Sequence, residues 1–558
     1  MATVADKATL VLRSGRVRTP SSPSGFAEAV AVEGDRIVAV GTDDEIAERT
    51  GPATRVIDLG GRLAIPAFGD AHIHAISAGV ERMRCDLTGF KSRAEYLERI
   101  AAYAAGLPAD AWVLGGGWSM EAFPGGVPVA ADLDATAGGR PVFLPNRDHH
   151  SAWVSTAAME RAGLDASVAD PPDGRVERDA SGRPTGALHD GAMDFVQRVV
   201  PLATQAELAA GLRLAQAHLH SLGITHWQDA IVGDAGELGM RDTYTTYRQA
   251  AAEGWLTARV VGALWWRRDR GLEQITDLLS RREAASDGPF RARAVKMMLD
   301  GVCETFTAAM SRAYVGDAGS GGHRGSLFID EEVVAAAVPA LDEQGFQVHF
   351  HAIGDRAVTT ALDALERIPV ARRGAGRHHL AHLQFIAPPD LDRFAPLGAI
   401  ANFQPLWACH EPQMDELTIP FVGEERSGWQ YSIASLVRRN ARVAFGSDWP
   451  VSSPDPIQEI HVAVNRMLSV RLGRPGRPET QDPFRPGEAL SVTDAVDAFT
   501  AGVAYVNGDE ELLGAVTPGR RADIAVLDQD LYTIPPGEIG DTSVALTVAG
   551  GAVVHGDA

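Results

Sequence analysis

Hydrophobic and polar positions change texture twice along the 558-residue chain. Residues 8–65 read as short strands, with Val-rich runs such as A-T-L-V-L-R and A-E-A-V-A-V-E broken at Gly and Asp turns. The far end has the same texture, in A-D-I-A-V-L-D and V-A-L-T-V-A-G-G-A-V-V. The middle alternates apolar strand-like runs with Ala/Leu/Glu-rich stretches. Apolar positions there recur at i, i+3 and i+4, which predicts helices over 206–222 and 331–344. Strands are predicted at 224–230, 293–300, 346–352, 377–383, 399–404 and 443–449. Repeated strand–helix units predict an α/β architecture with a parallel sheet, open or closed into a barrel. The stretch from about 85 to 200 fits this rhythm poorly and reads as an insertion over the barrel mouth. The expected division is a small β-domain built from residues 1–65 and 501–558, with a barrel over 66–500 that carries the insertion.

One stretch gives the pattern a chemistry: P-A-F-G-D-A-H-I-H-A, residues 66–75. Side chains alternate along a strand, so His72 and His74 point to one face. Two imidazoles at a strand end offer nitrogens to one point, as a divalent metal requires. Seventeen histidines make one such pair unremarkable by itself, so the reading needs further ligands. Later predicted strand ends carry Lys296 in A-V-K-M-M-L-D, His351 in V-H-F-H-A, His382 in H-H-L-A-H-L and Asp448 in G-S-D-W-P. In parallel α/β folds the C-terminal strand ends and the loops after them form the site. Taken singly, each has an ordinary reading. Lysines snorkel to the surface, buried histidines satisfy core hydrogen bonds, and an Asp after Gly-Ser caps a turn. Their joint placement at strand ends favours a metal centre.

Composition narrows the partners. The formal charge of −22 leaves no basic field for nucleic acid or an anionic membrane surface. The expected partner is a small-molecule substrate, and a homo-oligomer is left open. Cys85, Cys303 and Cys409 are scattered and odd in number, against a disulfide framework. With no signal-peptide pattern at the start and no long apolar span, a cytoplasmic location is expected. G-G-G at 115–117 lacks the Lys-Ser/Thr of a phosphate loop.

These motifs together resemble the amidohydrolase superfamily, in the amidohydrolase 3 (YtcJ-like) branch, and are similar to the N-substituted formamide deformylases. The matching pieces are P-A-F-G-D-A-H-I-H, V-K-M-M-L-D-G, H-A-I-G-D-R-A, H-H-L-A-H-L-Q, A-F-G-S-D-W-P-V and L-G-A-V-T-P-G-R-R-A-D-I-A-V-L-D. The resemblance implies a (β/α)8 TIM-type barrel with a small β-sandwich domain. It implies that His72 and His74 bind the more buried metal, and that His351 and His382 bind a second. Lys296, N6-carboxylated, would bridge the two ions, and Asp448 would ligate a metal and move protons. Two departures stand out: Asp300-Gly301-Val302 where relatives have D-G-S, and D-H-H-S at 148–151 where D-G-H-S is commoner.

The donor types suit zinc or another borderline divalent ion, one or two per chain. Such an ion lowers the pKa of bound water from 15.7 to about 7. The expected reaction is hydrolysis of a C–N bond beside a carbonyl, an amide or N-formyl group. Asp448 is the expected catalytic proton shuttle, because an amide nitrogen leaves only when protonated. A deaminase, lactonase or carbamate hydrolase would use the same ligands. A scaffold that had lost catalysis should also have lost ligands. Trp118 and Trp153 are candidate lid aromatics, and His150 and Gln404 candidate substrate contacts, whereas Arg356 reads as a structural ion-pair partner.

Overall fold

The computed structural model of the chain describes residues 7–171, 173–233, 242–472 and 482–556. Its centre is an eight-stranded sheet in which sequence neighbours are spatial neighbours throughout. The strands are β1 (Phe68–Ile73), β2 (Ile224–Val232), β3 (Arg259–Trp265), β4 (Phe290–Met298), β5 (Gln347–Ala352), β6 (His379–His382), β7 (Ile400–Phe403) and β8 (Arg442–Phe445). Every ladder between neighbours is parallel. This is the TIM-type barrel. Of the eight, β3 is the strand absent from the sequence-based set.

Alternation along each strand explains the layering. Trp227, Val295, Val348, Phe350 and Leu380 pack with helix residues such as Leu212, Val334, Leu341 and Leu362 in one apolar core. The alternate residues Gln228, Lys296, His349, His351 and His379 are polar, yet all are buried. Helix Gln205–Ser221 starts at a capping box, with Thr204 and Glu207 each satisfying the other's backbone N–H. Helix Glu331–Glu343 starts at Asp330, whose carboxylate accepts from the Glu332 N–H.

The first and eighth strands meet through loop contacts beyond the ladder. The Asp448 N–H donates to the His72 carbonyl at 2.7 Å, and the His74 N–H to the Trp449 carbonyl at 2.9 Å. Asp70 ties the seam by accepting from the Ser447 hydroxyl at 2.6 Å and the His72 N–H at 2.9 Å. Gly446 permits this approach, because a Cβ there would collide with the His72 backbone nitrogen. The predicted strand 443–449 therefore ends at Phe445. Gly446 to Asp448 leave the ladder to close the seam, and Asp448 takes φ 56°.

Both chain ends share a second structure. Strand Leu63–Pro66 pairs with Ile524–Leu527, within a six-stranded sheet that also holds Arg16–Arg18 and Val544–Ala549. A four-stranded sheet from residues 10–58 shares its core, through Leu12, Val30, Val32, Val526 and Val548. Helices Val492–Phe499 and Ala501–Asn507 pack on β8 and β1, so the segment just after residue 500 serves the barrel before the chain re-enters the β-domain.

The insertion forms its own six-stranded sheet, from Cys85–Asp86 to Pro184–Asp190. Trp118 and Trp153 lie in its core, both fully buried. Their indole N–H groups donate to the Leu144 and Val129 carbonyls at 2.7 and 2.9 Å. They are packing residues of the insertion, not lid aromatics over substrate. No helix among the described residues is long and apolar enough to cross a membrane. The three cysteines are buried, and none is in a disulfide.

Candidate metal centre

The C-terminal strand ends open into a cavity of about 270 Å³ roofed by the insertion. His72, His74, Lys296, His351, His382 and Asp448 all line it. A cleft of about 570 Å³ lies elsewhere, between Arg18, Arg442, Tyr505 and the β-domain, and holds none of these groups.

Asp448 sits at the middle of the cluster. Its Oδ1 lies 3.2 Å from His72 Nε2 and 3.0 Å from His74 Nε2, and its Oδ2 lies 4.0 Å from His382 Nδ1. Despite those distances, Oδ1 is buried and aligned with no hydrogen-bond donor among the described residues. Ligand atoms of His72, His382 and Asp448 all fall within 4.8 Å of one another. The His72 and His382 rings are 4.7 Å apart, and those of His351 and His382 4.5 Å. Buried lone pairs converging without partners are what an ion would satisfy, so the donor set fits a divalent metal.

Charge states agree. Burial, helped by the nearby Lys296 charge, pushes His72 down to about 3. It holds His351 and His382 well below the usual imidazole range as well. These rings are neutral at pH 7, as metal ligation requires. Burial raises a carboxyl, and an N–H or positive charge on the His72 and His74 rings, or a bound cation in their place, would hold Asp448 in its ionised form against it. Burial pulls Lys296 down to about 7, so much of it is free amine near neutrality. Two of the clustered groups are held in left-handed backbone, His382 at φ 78° and Asp448 at φ 56°. Non-glycine residues there cost about 1–3 kcal/mol each and concentrate at functional sites.

A further layer orients the imidazoles. Asp300 accepts the backbone N–H groups of Ala309, Ile353 and Gly354 at 2.9, 3.1 and 2.8 Å. Its Oδ1 lies 3.2 Å from His351 Nδ1, leaving His351 Nε2 free for the centre. Gln404 Oε1 lies 2.9 Å from His382 Nδ1 in the same manner. Gln404 is fully buried and borders no part of the cavity, so it braces the His382 ring where the sequence suggested a substrate contact.

The insertion supplies the roof. His150 lines the cavity, its Nδ1 2.6 Å from Asp190 Oδ1. Burial would lower this imidazole, but the Asp190 carboxylate outweighs it and raises it to about 9. The neighbouring His149 stands at φ 61°, a left-handed conformation that glycine enters most readily. Arg356 is bound to Glu331 at 2.7 Å, away from the cavity lining. Ser151, His189 and Glu177 form a hydrogen-bonded row at 2.8 and 3.1 Å, but Ser151 is buried in a strand and closed to substrate.

Comparison with known proteins places this geometry. The model of the Amidohydrolase family matches residues 55–555. The chain is 28% identical to the putative amidohydrolase YtcJ of Bacillus subtilis over 547 residues, 95% of this chain and 98% of that one. It is 25% identical over 567 residues to an N-substituted formamide deformylase of Arthrobacter pascens, covering 98% of each. Among solved structures, an uncharacterized metal-dependent hydrolase from Pyrococcus furiosus superposes with a TM-score of 0.69 at 25% identity, over 95% of this chain and 99% of that one. The chain belongs to the amidohydrolase family, has the fold of a metal-dependent hydrolase, and brings His72, His382 and Asp448 close enough together that they could hold a metal ion.

Proposed function

We propose that the chain hydrolyses a C–N bond beside a carbonyl, in a small N-formyl or N-acyl amine. The observation that carries this reading is the placement of Asp448. It is a carboxyl group at the floor of the cavity, shared by two imidazoles and aligned with no donor among the described residues. Amide cleavage needs such a group, because the nitrogen leaves only after it gains a proton.

His72, His74 and Asp448 would hold the more buried ion, and His351 and His382 a second. Lys296, as its N6-carbamate, would lie between them. Zinc suits this imidazole and carboxylate set. When bound, the ion supplies Lewis-acid activation of water and of the substrate carbonyl. Asp448 takes the proton of the attacking water and delivers it to the departing nitrogen. His150, protonated against Asp190, donates toward the substrate from the roof. Met193, Met298, Phe328 and Trp407 give an apolar wall for the acyl or amine group. A cavity of about 270 Å³ lies just below the usual ligand sites of about 300 to 1,000 Å³, which favours a small substrate. The full-length likeness to a deformylase supports the N-formyl choice.

A panel of N-formyl amines, N-acyl amines, lactones, carbamates and amino-heterocycles offered to the zinc-loaded protein tests this. Amine release from N-formyl or N-acyl substrates is the expected result. Turnover confined to lactones, or to ammonia release from a heterocycle, would replace the amide assignment with a lactonase or deaminase.

A further inference from the structure

The barrel interior below the metal centre is polar where an apolar core would be the default. Gln228, Gln347, His349, His379, Asn402 and Asn507 are fully or almost fully buried there. Their hydrogen bonds have one direction, and it can be followed from the far end of the barrel.

Gln347 Nε2 lies 2.6 Å from the Arg377 carbonyl and 2.9 Å from the Val506 carbonyl. Carbonyls only accept, so the Gln347 amide donates to both and turns its oxygen inward. That oxygen is 3.0 Å from Gln228 Nε2, which must donate. Gln228 Nε2 also reaches Asn507 Oδ1 at 3.2 Å. Gln228 Oε1 is then an acceptor. It lies 2.7 Å from His349 Nδ1 and 2.8 Å from His379 Nε2, so both rings donate there. His349 is left with a bare Nε2, 2.8 Å from His72 Nδ1. His72 must supply that proton from Nδ1, and its Nε2 faces Asp448 with a free lone pair.

A second route gives the same assignment. Asn402 Nδ2 donates to the Ala71 carbonyl at 2.9 Å and lies 3.1 Å from His379 Nδ1. His379 Nδ1 therefore accepts, and its proton sits on Nε2, pointing at Gln228 as the first route requires. Asn402 Oδ1 accepts from Gln404 Nε2 at 3.3 Å, and the Gln404 oxygen faces His382 Nδ1. His382 is thereby fixed with its Nε2 bare as well.

We propose that His349 and Gln228 are positioning residues that hold His72 in its Nδ1–H form before any metal arrives, through a network anchored on backbone carbonyls at the opposite end of the barrel. The amide of Gln228 interrupts any proton relay, so the network acts as a clamp, not a wire. For its consequence the inference rests on reading His72 as a metal ligand; the ring form itself does not.

Nitrogen-15 spectra of the metal-free chain, labelled at histidine and assigned against His72→Gln, test the ring form directly. The expected His72 signal is a protonated Nδ1 with a bare Nε2. A protonated Nε2 overturns the proposal. Zinc affinity, read by competition with a chromophoric chelator, tests the consequence. His349→Leu removes the acceptor and is expected to weaken zinc binding about 10–100-fold, while His349→Gln keeps an acceptor and stays within about threefold of the parent. Unchanged affinity in a folded His349→Leu also overturns the proposal. Should that variant fail to fold, the parent spectrum and His349→Gln decide. A parent chain that binds no zinc would defeat the metal reading of the site, and the His72 spectrum would still judge the network.

Discussion

Asp448→Asn is expected to lower kcat by about 10²–10⁴-fold, the range general acid–base groups contribute, and to leave the fold intact. Asparagine enters left-handed backbone at least as readily as aspartate, so φ 56° is no obstacle. The contact that helps close the barrel uses the residue's backbone N–H, which donates to the His72 carbonyl and survives the change. What is lost is the anion beside His72 and His74 and the proton acceptor it provides. Steady-state turnover on the best substrate of the panel, with circular dichroism as the fold control, measures both parts. Turnover near that of the parent would remove Asp448 from the chemistry.

Lys296→Met is expected to act in opposite directions on activity and stability. Activity should fall to background, because methionine cannot form the carbamate proposed for Lys296. The metal-free protein should become more stable. Burial lowers Lys296 from 10.5 to about 7, so the folded state disfavours the charged amine that the unfolded chain keeps. This penalty is complete below pH 7, shrinks as pH rises from 7 to 10.5, and vanishes above that range. At about 1.4 kcal/mol per pKa unit, the gain on substitution reaches about 5 kcal/mol at pH 6 and is largely gone by pH 10. Urea unfolding of both metal-free proteins at those two pH values, in buffer free of carbon dioxide, measures it. A Lys296→Met chain less stable than the parent at pH 6 would mean that the amine is structurally paired. A more stable Lys296→Met chain would mean that Lys296 is kept against its own stability cost, which is the mark of a functional group.

Sequence pattern carried the strands that bear chemistry further than the strands that do not. His72 and His74 are legible because alternation puts them on one face. Lys296, His351 and His382 are legible because each charged or polar side chain interrupts an apolar strand. Strand β3, R-V-V-G-A-L-W, has no such interruption and reads as any apolar run. The lid reading of Trp118 and Trp153 gave way to local packing, because their indole N–H groups find carbonyls inside the insertion itself. Gln404 sits one layer too deep to meet substrate. The inner network was visible as period-two polarity in Q-V-H-F-H, where Gln347, His349 and His351 share a face. A barrel interior is expected to be apolar, and only the spatial meeting of β2, β5, β6 and β7 shows how those polar groups satisfy one another. Asp300 illustrates the same limit. Its partners Ala309, Ile353 and Gly354 come from loops that no spacing rule connects.

Anomalous diffraction at the zinc edge, from crystals of the zinc-loaded chain, tests most directly whether the strand ends form one metal centre. The expected map has its strong density in the space enclosed by His72, His74, His382 and Asp448, with any second peak toward Lys296 and His351. Zinc bound only at other residues, with that space empty, would contradict the assignment.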